Sequence, residues 1–213
     1  LGNAEAIAHE IGWNRVLGAR VIYGARIMEP GRVAVTVIAA PTAIGGYGGK
    51  GAEEAARESA RLMDAASLPT CFTDRIPTVL WSKVAYNCAL NPLSALLNVP
   101  YGVLAENEHT RAIMNDVVGE LYRVADALDI PLEPAAAEAY LHAFYHQMLP
   151  PTAAHYASMR EDLLQGRRTE IDALNGAIAR FGETNHIPCP VNTMLASLVH
   201  AREQIGLQAR GQA

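Results

Sequence analysis

The chain changes character near residue 73, and this change constrains its fold more than any other feature of the sequence. Before that point, β-rich runs alternate with helix-like runs. After it, β signals nearly vanish, and long alanine- and leucine-rich segments follow one another between prolines and glycines. We therefore predict a mainly α protein, in which a small α/β region over 1–73 precedes an all-helical domain over 74–213.

Hydrophobic periodicity and turn residues divide each region further. In the first region, helices are predicted at 4–11 and 51–66. Strands are predicted at 16–23, 33–39 and 69–73, and a turn is predicted at 29–32. The helices of the second region are predicted at 78–98, 106–129, 133–148, 158–165, 169–184 and 191–205. Half of the 213 residues are hydrophobic, which is enough to bury a sizeable core.

Charge and cysteine content exclude several classes of protein. The formal net charge is −5, whereas a nucleic-acid-binding chain usually has a basic patch. No apolar run reaches the roughly 18 residues of a membrane-spanning helix, and no signal peptide is visible. The 3 cysteines are too far apart for a disulfide or metal-binding framework. We therefore expect a cytoplasmic protein that binds neither nucleic acid nor membrane. Because it begins at Leu1 rather than at a methionine, we also expect it to be a piece of a longer protein.

Gly46, Gly48 and Gly51 match the G-x-G-x-x-G pattern of dinucleotide-binding loops, after a β-like run and before a helix-like run. A true fingerprint lies within a βαβ unit, whose second strand ends in an acidic residue about 20 residues further on. Here only a short strand candidate follows the helix, and Asp74, near the required distance, opens the helical region. We therefore predict that these glycines form a strand-to-helix turn rather than a cofactor loop.

The stretch from Thr78 to Ala105 carries a single charged residue, Lys83. On a helix, Asn87 and Asn91 follow Lys83 at i+4 and i+8, so the polar side chains form one narrow line between apolar walls. A solvated helix face would be broader and richer in charge, so this line is predicted to be buried or to line a cleft. A lysine in such a setting can donate a proton, and asparagines can orient a carboxylate, carbonyl or hydroxyl.

A purely structural interpretation of the same line stays open. Lys83 could extend to the surface, and the two asparagines could cap a break in the helix. The proline after Asn91 supports part of this view, because Pro92 cannot donate the helix hydrogen bond to the carbonyl of Cys88.

The stretch from Ala157 to Gly176 has a simple structural explanation on spacing alone. Ser158 and Glu161 fit a capping box, in which Ser158 is the N-cap of a helix. Thr169 and Asp172 resemble a second box, which makes Glu170 a first-turn acid favoured by the helix dipole.

His142 and His146 lie one helical turn apart, and Glu138 lies one turn earlier. A zinc site needs at least three ligands with supporting partners, and the chain has neither an HExxH motif nor a cysteine nearby. We therefore predict an ordinary helix face here and no metal site.

Taken together, these motifs resemble the ketopantoate reductase (2-dehydropantoate 2-reductase) family over nearly the whole chain. The order and spacing of the motifs are highly specific in combination. The residues that carry the resemblance are Leu80, Trp81, Lys83, Asn87, Asn91, Pro92 and Leu93, then Ser158, Met159 and Asp162, then Gly166, Arg167, Thr169, Glu170, Ile171, Asp172, Leu174 and Gly176, and finally Pro188, Pro190 and Asn192.

The resemblance implies an oxidoreductase that reduces a 2-oxo acid, 2-dehydropantoate, to pantoate with NADPH in pantothenate biosynthesis. Residues 1–73 would be the last strands and helix of a truncated Rossmann domain that binds NADP. Residues 74–213 would be the helical substrate domain, and the substrate would lie between the two.

The resemblance also implies roles for individual residues. Lys83 would be the catalytic proton donor to the ketone oxygen. Glu170 would be a second catalytic residue that reaches both the substrate and the cofactor. Asn87, Asn91 and Ser158 would bind the small-molecule 2-oxo acid, and Ala25 would meet the cofactor.

This chain departs from the family pattern at two places. The family's phosphate-binding loop lies at the extreme N-terminus of a longer protein and is not present here, so this chain alone is expected to be inactive. Tyr101 stands where family members often have an asparagine, which leaves the exact substrate open. NADP against NAD stays open as well, as does assembly into a homodimer. The alternative functions are a non-catalytic helical dimerisation or interaction module and a reductase of another 2-oxo acid.

Overall fold

A computed structural model of the chain describes residues 1–211, with the backbone only at residues 36, 37, 39 and 207–211. Within this range the chain forms two compact units. One covers residues 2–81, and the other runs from Ser82 onward and includes Leu1.

The first unit is a three-stranded mixed sheet with two α-helices. Its elements are α1 (Asn3–Ile11), β1 (Leu17–Glu29), β2 (Arg32–Gly46), α2 (Gly49–Ala65) and β3 (Thr70–Phe72). Each predicted element of this region is present, but β1 and β2 are longer than predicted. Many of their side chains are exposed, so the alternating pattern that marks a half-buried strand is weak there.

Strand direction in this sheet follows from the connections. A tight turn joins β1 to β2 as an antiparallel pair, and Gly31 in that turn has a left-handed φ of 82°, which glycine adopts without steric cost. Helix α2 then returns the chain, so that β3 runs parallel to the end of β2 with Thr70 opposite Thr42. One face of α2 is buried at Ala52, Ala56 and Ala60, and α2 packs on β2 and β3.

Among the residues that the structure describes, the second unit is built of helices and the loops between them, with no strand. Its helices are α3 (Ile76–Leu97, which begins in the first unit), α4 (Tyr101–Glu106), α5 (Glu108–Ala127), α6 (Ala137–Ala143), α7 (Ser158–Leu164), α8 (Asn175–Thr184) and α9 (Pro190–Gly211). A π-helical turn lies at Phe144–Met148, and 3₁₀-helical turns lie at Pro150–Thr152 and Ile171–Ala173. No helix in the described range is long and apolar enough to cross a membrane.

The core of this unit is built around α5. Its apolar stripe, which includes Val117, Leu121 and Val124, is fully buried, and α5 packs against α6, α8 and α9. The predicted helix over 106–129 was wrong at its start, because Asn107 interrupts it. The Asn107 side chain accepts hydrogen bonds from the N–H groups of His109 and Thr110 and so caps α5.

Candidate active site

The predicted polar line lies on α3 and changes in exposure along the helix. Lys83 and Asn87 are half-buried, whereas Asn91 is only 6% exposed. Two of the residues that flank this line within the second unit, Cys88 and Leu90, are fully buried, and the other two, Val84 and Tyr86, are half-buried. The line therefore runs from a partly accessible lysine to an enclosed asparagine, as expected for a cleft-lining face rather than a solvated one.

The asparagine at the enclosed end is held by a residue from α4. The hydroxyl of Tyr101 donates a 2.8 Å hydrogen bond to Oδ1 of Asn91. The start of α4 is fixed in turn by backbone hydrogen bonds from the N–H of Tyr101 to the carbonyl of His155 and from the N–H of Gly102 to the carbonyl of Ala153. Tyr101, at the position where family members often have asparagine, is therefore in direct contact with Asn91, a predicted substrate-binding residue.

Aromatic side chains pack beside this contact. The Tyr86 ring lies 6.2 Å from the Tyr101 ring, edge to face, and 5.4 Å from the Phe144 ring. The Tyr86 hydroxyl forms a hydrogen bond with Oγ1 of Thr152. Burial raises the pKa of both tyrosines, so they act as neutral hydrogen-bond donors at physiological pH.

Ser158 is joined to α3 through its neighbour. Ser94, on α3, is fully buried and accepts a 3.2 Å hydrogen bond from the N–H of Ala157. The predicted capping box was wrong, because Ala157 occupies the N-cap position and Ser158 is already the first residue of α7. Ser158 is exposed, so its hydroxyl lies at the surface of this unit close to the end of α3 that carries Asn91.

Glu170 is exposed and lies just before the turn Ile171–Ala173. The second predicted capping box was also wrong, since Asp172 contacts His200 of α9 at 2.9 Å instead of returning to the helix start. On the other side of Glu170, the N–H of Thr169 donates to Glu203 of α9 at 2.7 Å. Helix α9 thus contacts the backbone of Thr169 on one side of Glu170 and the side chain of Asp172 on the other.

The same segment is tied to α3 by a residue that the sequence patterns did not single out. Asn175, at the start of α8, donates a 3.1 Å hydrogen bond from Nδ2 to the carbonyl of Cys88. Cys88 follows Asn87 directly, so the segment that carries Glu170 is anchored at the middle of the polar line. The missing hydrogen bond at Pro92 was the signal in the sequence that a donor to this carbonyl was needed.

Residues 75–203 match the family described as "Ketopantoate reductase PanE/ApbA C terminal". The chain belongs to this family. A 2-dehydropantoate 2-reductase of Aquifex aeolicus (strain VF5) is 39% identical over 97% of this chain and 66% of its own length. The chain thus spans about two thirds of the length of the ketopantoate reductase relatives that it matches.

Solved structures agree with this assignment. A PanE/ApbA family ketopantoate reductase from Ralstonia eutropha JMP134 is 30% identical, with a TM-score of 0.82 over 97% of this chain and 65% of its own. A D-mandelate dehydrogenase, solved with NADH and anilino(oxo)acetate, is 26% identical, with a TM-score of 0.84 over 97% of this chain and 66% of its own. The fold of this ketopantoate reductase family member is therefore shared with a solved ketopantoate reductase and with a solved D-mandelate dehydrogenase.

The glycine pattern of the first unit is not a cofactor loop. A Cβ at Gly46 would lie 2.6 Å from the backbone carbon of Ala52, and one at Gly48 would lie 2.7 Å from the backbone carbon of Trp13. The protein's own backbone therefore packs closely against both glycines. Strand β2 ends at Gly46 and helix α2 begins at Gly49, which confirms the predicted strand-to-helix turn. Ala25, the predicted cofactor contact in this unit, is an exposed residue of β1.

The histidine pair lies on neighbouring turns, with ring centroids 4.7 Å apart. Throughout residues 1–211, no three His, Cys, Asp or Glu side chains are grouped so that they could hold a metal ion.

Proposed function

We propose that the natural protein containing this chain is a nicotinamide-dependent reductase of the 2-oxo acid 2-dehydropantoate. This chain would supply its substrate-binding residues and its proton donor. The observation that carries the proposal is the Lys83, Asn87 and Asn91 line on α3, which lies inside the matched residues 75–203. The names of the relatives, 2-dehydropantoate 2-reductases over 97% of this chain, give the reaction and the substrate.

The chemistry requires a proton donor at the carbonyl oxygen. When the carbonyl carbon of the 2-oxo acid gains a hydride, the π electrons move to the oxygen, which becomes an alkoxide. The Lys83 ammonium stabilises this developing charge and then transfers a proton to it, leaving a neutral amine and a 2-hydroxy acid. The half-buried position of Lys83 favours this role, because electrostatic stabilisation is stronger where water is partly excluded.

Asn87, Asn91 and Ser158 would orient the substrate. The Tyr101 hydroxyl already donates a hydrogen bond to the oxygen of the Asn91 amide. The NH₂ group of Asn91 would therefore be the part that donates to a substrate carboxylate or hydroxyl. The contact between Ser94 and the N–H of Ala157 brings the start of α7, and with it Ser158, to the same end of α3. A carboxylate held there would place the neighbouring carbonyl toward the Lys83 end of the line.

A nicotinamide cofactor is supported by the NADH in the solved D-mandelate dehydrogenase. When bound, a reduced nicotinamide supplies the hydride. Among the described residues, Ala25 and the carboxylate of Glu170 are both exposed and would be the contacts of this chain with the cofactor. The close packing at Gly46 and Gly48 supports the view that the glycine turn does not hold the pyrophosphate.

The test replaces Lys83 with alanine in the full natural protein that contains this chain. We expect kcat for 2-dehydropantoate to fall by about 10²–10⁴-fold, the usual contribution of a positioned general acid. Lys50, the other lysine of the sequence, lies exposed on α2, so Lys50→Ala is a matched control and should retain kcat.

Two further results would decide between the functions. Lys83→Arg keeps the positive charge but holds its proton too tightly to act as an acid, so it should also lose most of kcat. Near-normal turnover of Lys83→Ala would contradict the assignment of the proton donor. A wild-type protein that reduces no 2-oxo acid with NADPH or NADH would favour the alternative of a non-catalytic helical module.

A further inference from the structure

Pro92 creates a requirement in the middle of the proposed site. It lies inside α3 and has no N–H, so it cannot donate the helix hydrogen bond to the carbonyl of Cys88. Cys88 is 0% exposed, and a buried carbonyl without a donor is unfavourable. This carbonyl belongs to the turn between Asn87 and Asn91, so the group that satisfies it bonds directly to the backbone between the two asparagines.

Asn175 satisfies that carbonyl from α8. Its Nδ2 donates to the carbonyl of Cys88 at 3.1 Å and to Oδ1 of Asn192 at 3.0 Å. These two acceptors determine how the Asn175 amide is oriented, because the flipped amide would direct its oxygen at both of them.

Glu120 holds the far end of the same network. Its carboxylate accepts the N–H groups of Val191 and Asn192 at the start of α9, both at 2.9 Å, and Nδ2 of Asn192 at 2.7 Å. Glu120 is 3% exposed, and the positive end of the α9 dipole stabilises its charge. Buried hydrogen bonds therefore connect α5, α9 and α8 to α3.

The Asn175 side chain is itself only partly satisfied. Asn175 is 0% exposed, and its Oδ1 has no hydrogen-bond partner among the residues that the structure describes. A buried acceptor without a donor is unfavourable, so an apolar residue would be the simpler choice for packing. What only the amide supplies is a pair of N–H donors, one of which is used on Cys88.

We propose that Asn175 is a positioning residue for the reduction of the 2-oxo acid. By donating to the Cys88 carbonyl, it fixes the turn of α3 between the substrate-binding Asn87 and Asn91. The same hydrogen bond keeps the segment that carries Glu170 in a fixed position relative to that turn. Asn175 touches neither substrate nor cofactor. The inference rests on the proposed function.

The experiment is a double-mutant cycle between Asn175 and Pro92 in the full natural protein. Asn175→Leu removes the donor at similar volume, and kcat/KM for 2-dehydropantoate should fall by about tenfold or more, since small misplacements of catalytic groups are costly. Pro92→Ala restores a backbone N–H that can donate to Cys88. In the Pro92→Ala background, Asn175→Leu should therefore lower kcat/KM by no more than about threefold.

Val199→Ala, a fully buried substitution in α9, is the matched control for a loss of stability without a loss of positioning. It should lower Tm and leave kcat/KM unchanged. If Asn175→Leu is insoluble, Asn175→Ser, which leaves room for a water at the carbonyl, takes its place in the cycle. The inference is overturned, while the proposed function stands, if the Asn175 variant has a normal kcat/KM. It is also overturned if the Asn175 substitution lowers kcat/KM equally in the wild-type and the Pro92→Ala backgrounds. A wild-type protein without reductase activity overturns both.

Discussion

The hydroxyl of Tyr101 donates its proton to the side-chain oxygen of Asn91 at 2.8 Å, and both residues are buried. Burial raises the pKa of Tyr101 well above its ordinary value, so the phenol remains a donor throughout the physiological range. The amide of Asn91 therefore has one orientation, with its NH₂ group turned away from the tyrosine. A residue next to the proposed substrate site thus determines which group of Asn91 a ligand meets.

Replacing Tyr101 with phenylalanine removes this donor and leaves the buried amide oxygen of Asn91 without the hydrogen bond from Tyr101. We expect the free energy of unfolding of the chain to fall by about 1–3 kcal/mol in urea denaturation. Because the amide is then free to rotate, KM for 2-dehydropantoate should rise several-fold in the full natural protein, with a smaller change in kcat. Steady-state kinetics of purified wild type and variant measure both constants.

Tyr86→Phe is the control for this prediction. It removes a phenol from the same aromatic cluster, but that phenol bonds Thr152 rather than Asn91. Its stability should fall by a similar amount, while KM should stay within about twofold of wild type. An equal rise of KM in both variants would mean that packing of the cluster, and not the Asn91 orientation, affects the substrate.

The glycines between β2 and α2 provide a second prediction. A methyl group at Gly46 would lie 2.6 Å from the backbone carbon of Ala52, which cannot move without shifting α2. We expect Gly46→Ala to destabilise the chain by about 1–3 kcal/mol or more in urea denaturation. Gly51 lies inside α2, and a methyl group there would have no atom within 4 Å, so Gly51→Ala should stabilise the chain by about 0.5–1 kcal/mol. Equal effects at the two positions would contradict the packing explanation.

Local features of the fold were predictable from the sequence, whereas contacts between distant segments were not. Helix periodicity located α3 and α7 to within two residues, because their apolar spacing and flanking breaks are local signals. Periodicity could not locate the break at Asn107, where a side-chain cap divides an otherwise continuous pattern.

Within the site, the polar line of α3 followed from spacing alone, but its partners did not. Nothing near Asn91 in the sequence indicates that Tyr101 would turn back to bond its oxygen. Asn175 lies far from Cys88 along the chain, and no local spacing indicates that its amide would reach that carbonyl. Family resemblance supplied Ser158 and Glu170, whose local spacing had suggested only helix caps.

A third prediction concerns pH. The hydrogen bond with Glu203 is the main reason why the pKa of His200 lies above its ordinary value of 6.5, and Asp172 adds to it. Burial opposes ionisation of Glu203, but hydrogen bonds from Thr169 and His200 outweigh this and lower its pKa, so the carboxylate is charged at pH 5.5. Protonated His200 therefore stabilises the fold fully below pH 6.5, and this contribution is lost as pH rises through the raised pKa.

We therefore expect His200→Gln to lower the free energy of unfolding more at pH 5.5 than at pH 9. The difference should be only a few tenths of a kcal/mol, because His200 is partly exposed and solvent screens the pair. An NMR titration of the His200 ring gives its pKa directly, and a value at or below 6.5 would contradict the prediction. Glu203→Gln is the informative companion, since its amide oxygen can still accept the N–H of Thr169 while the charge is gone. In that variant the pKa of His200 should fall toward its ordinary value, whereas the backbone beside Glu170 stays anchored to α9.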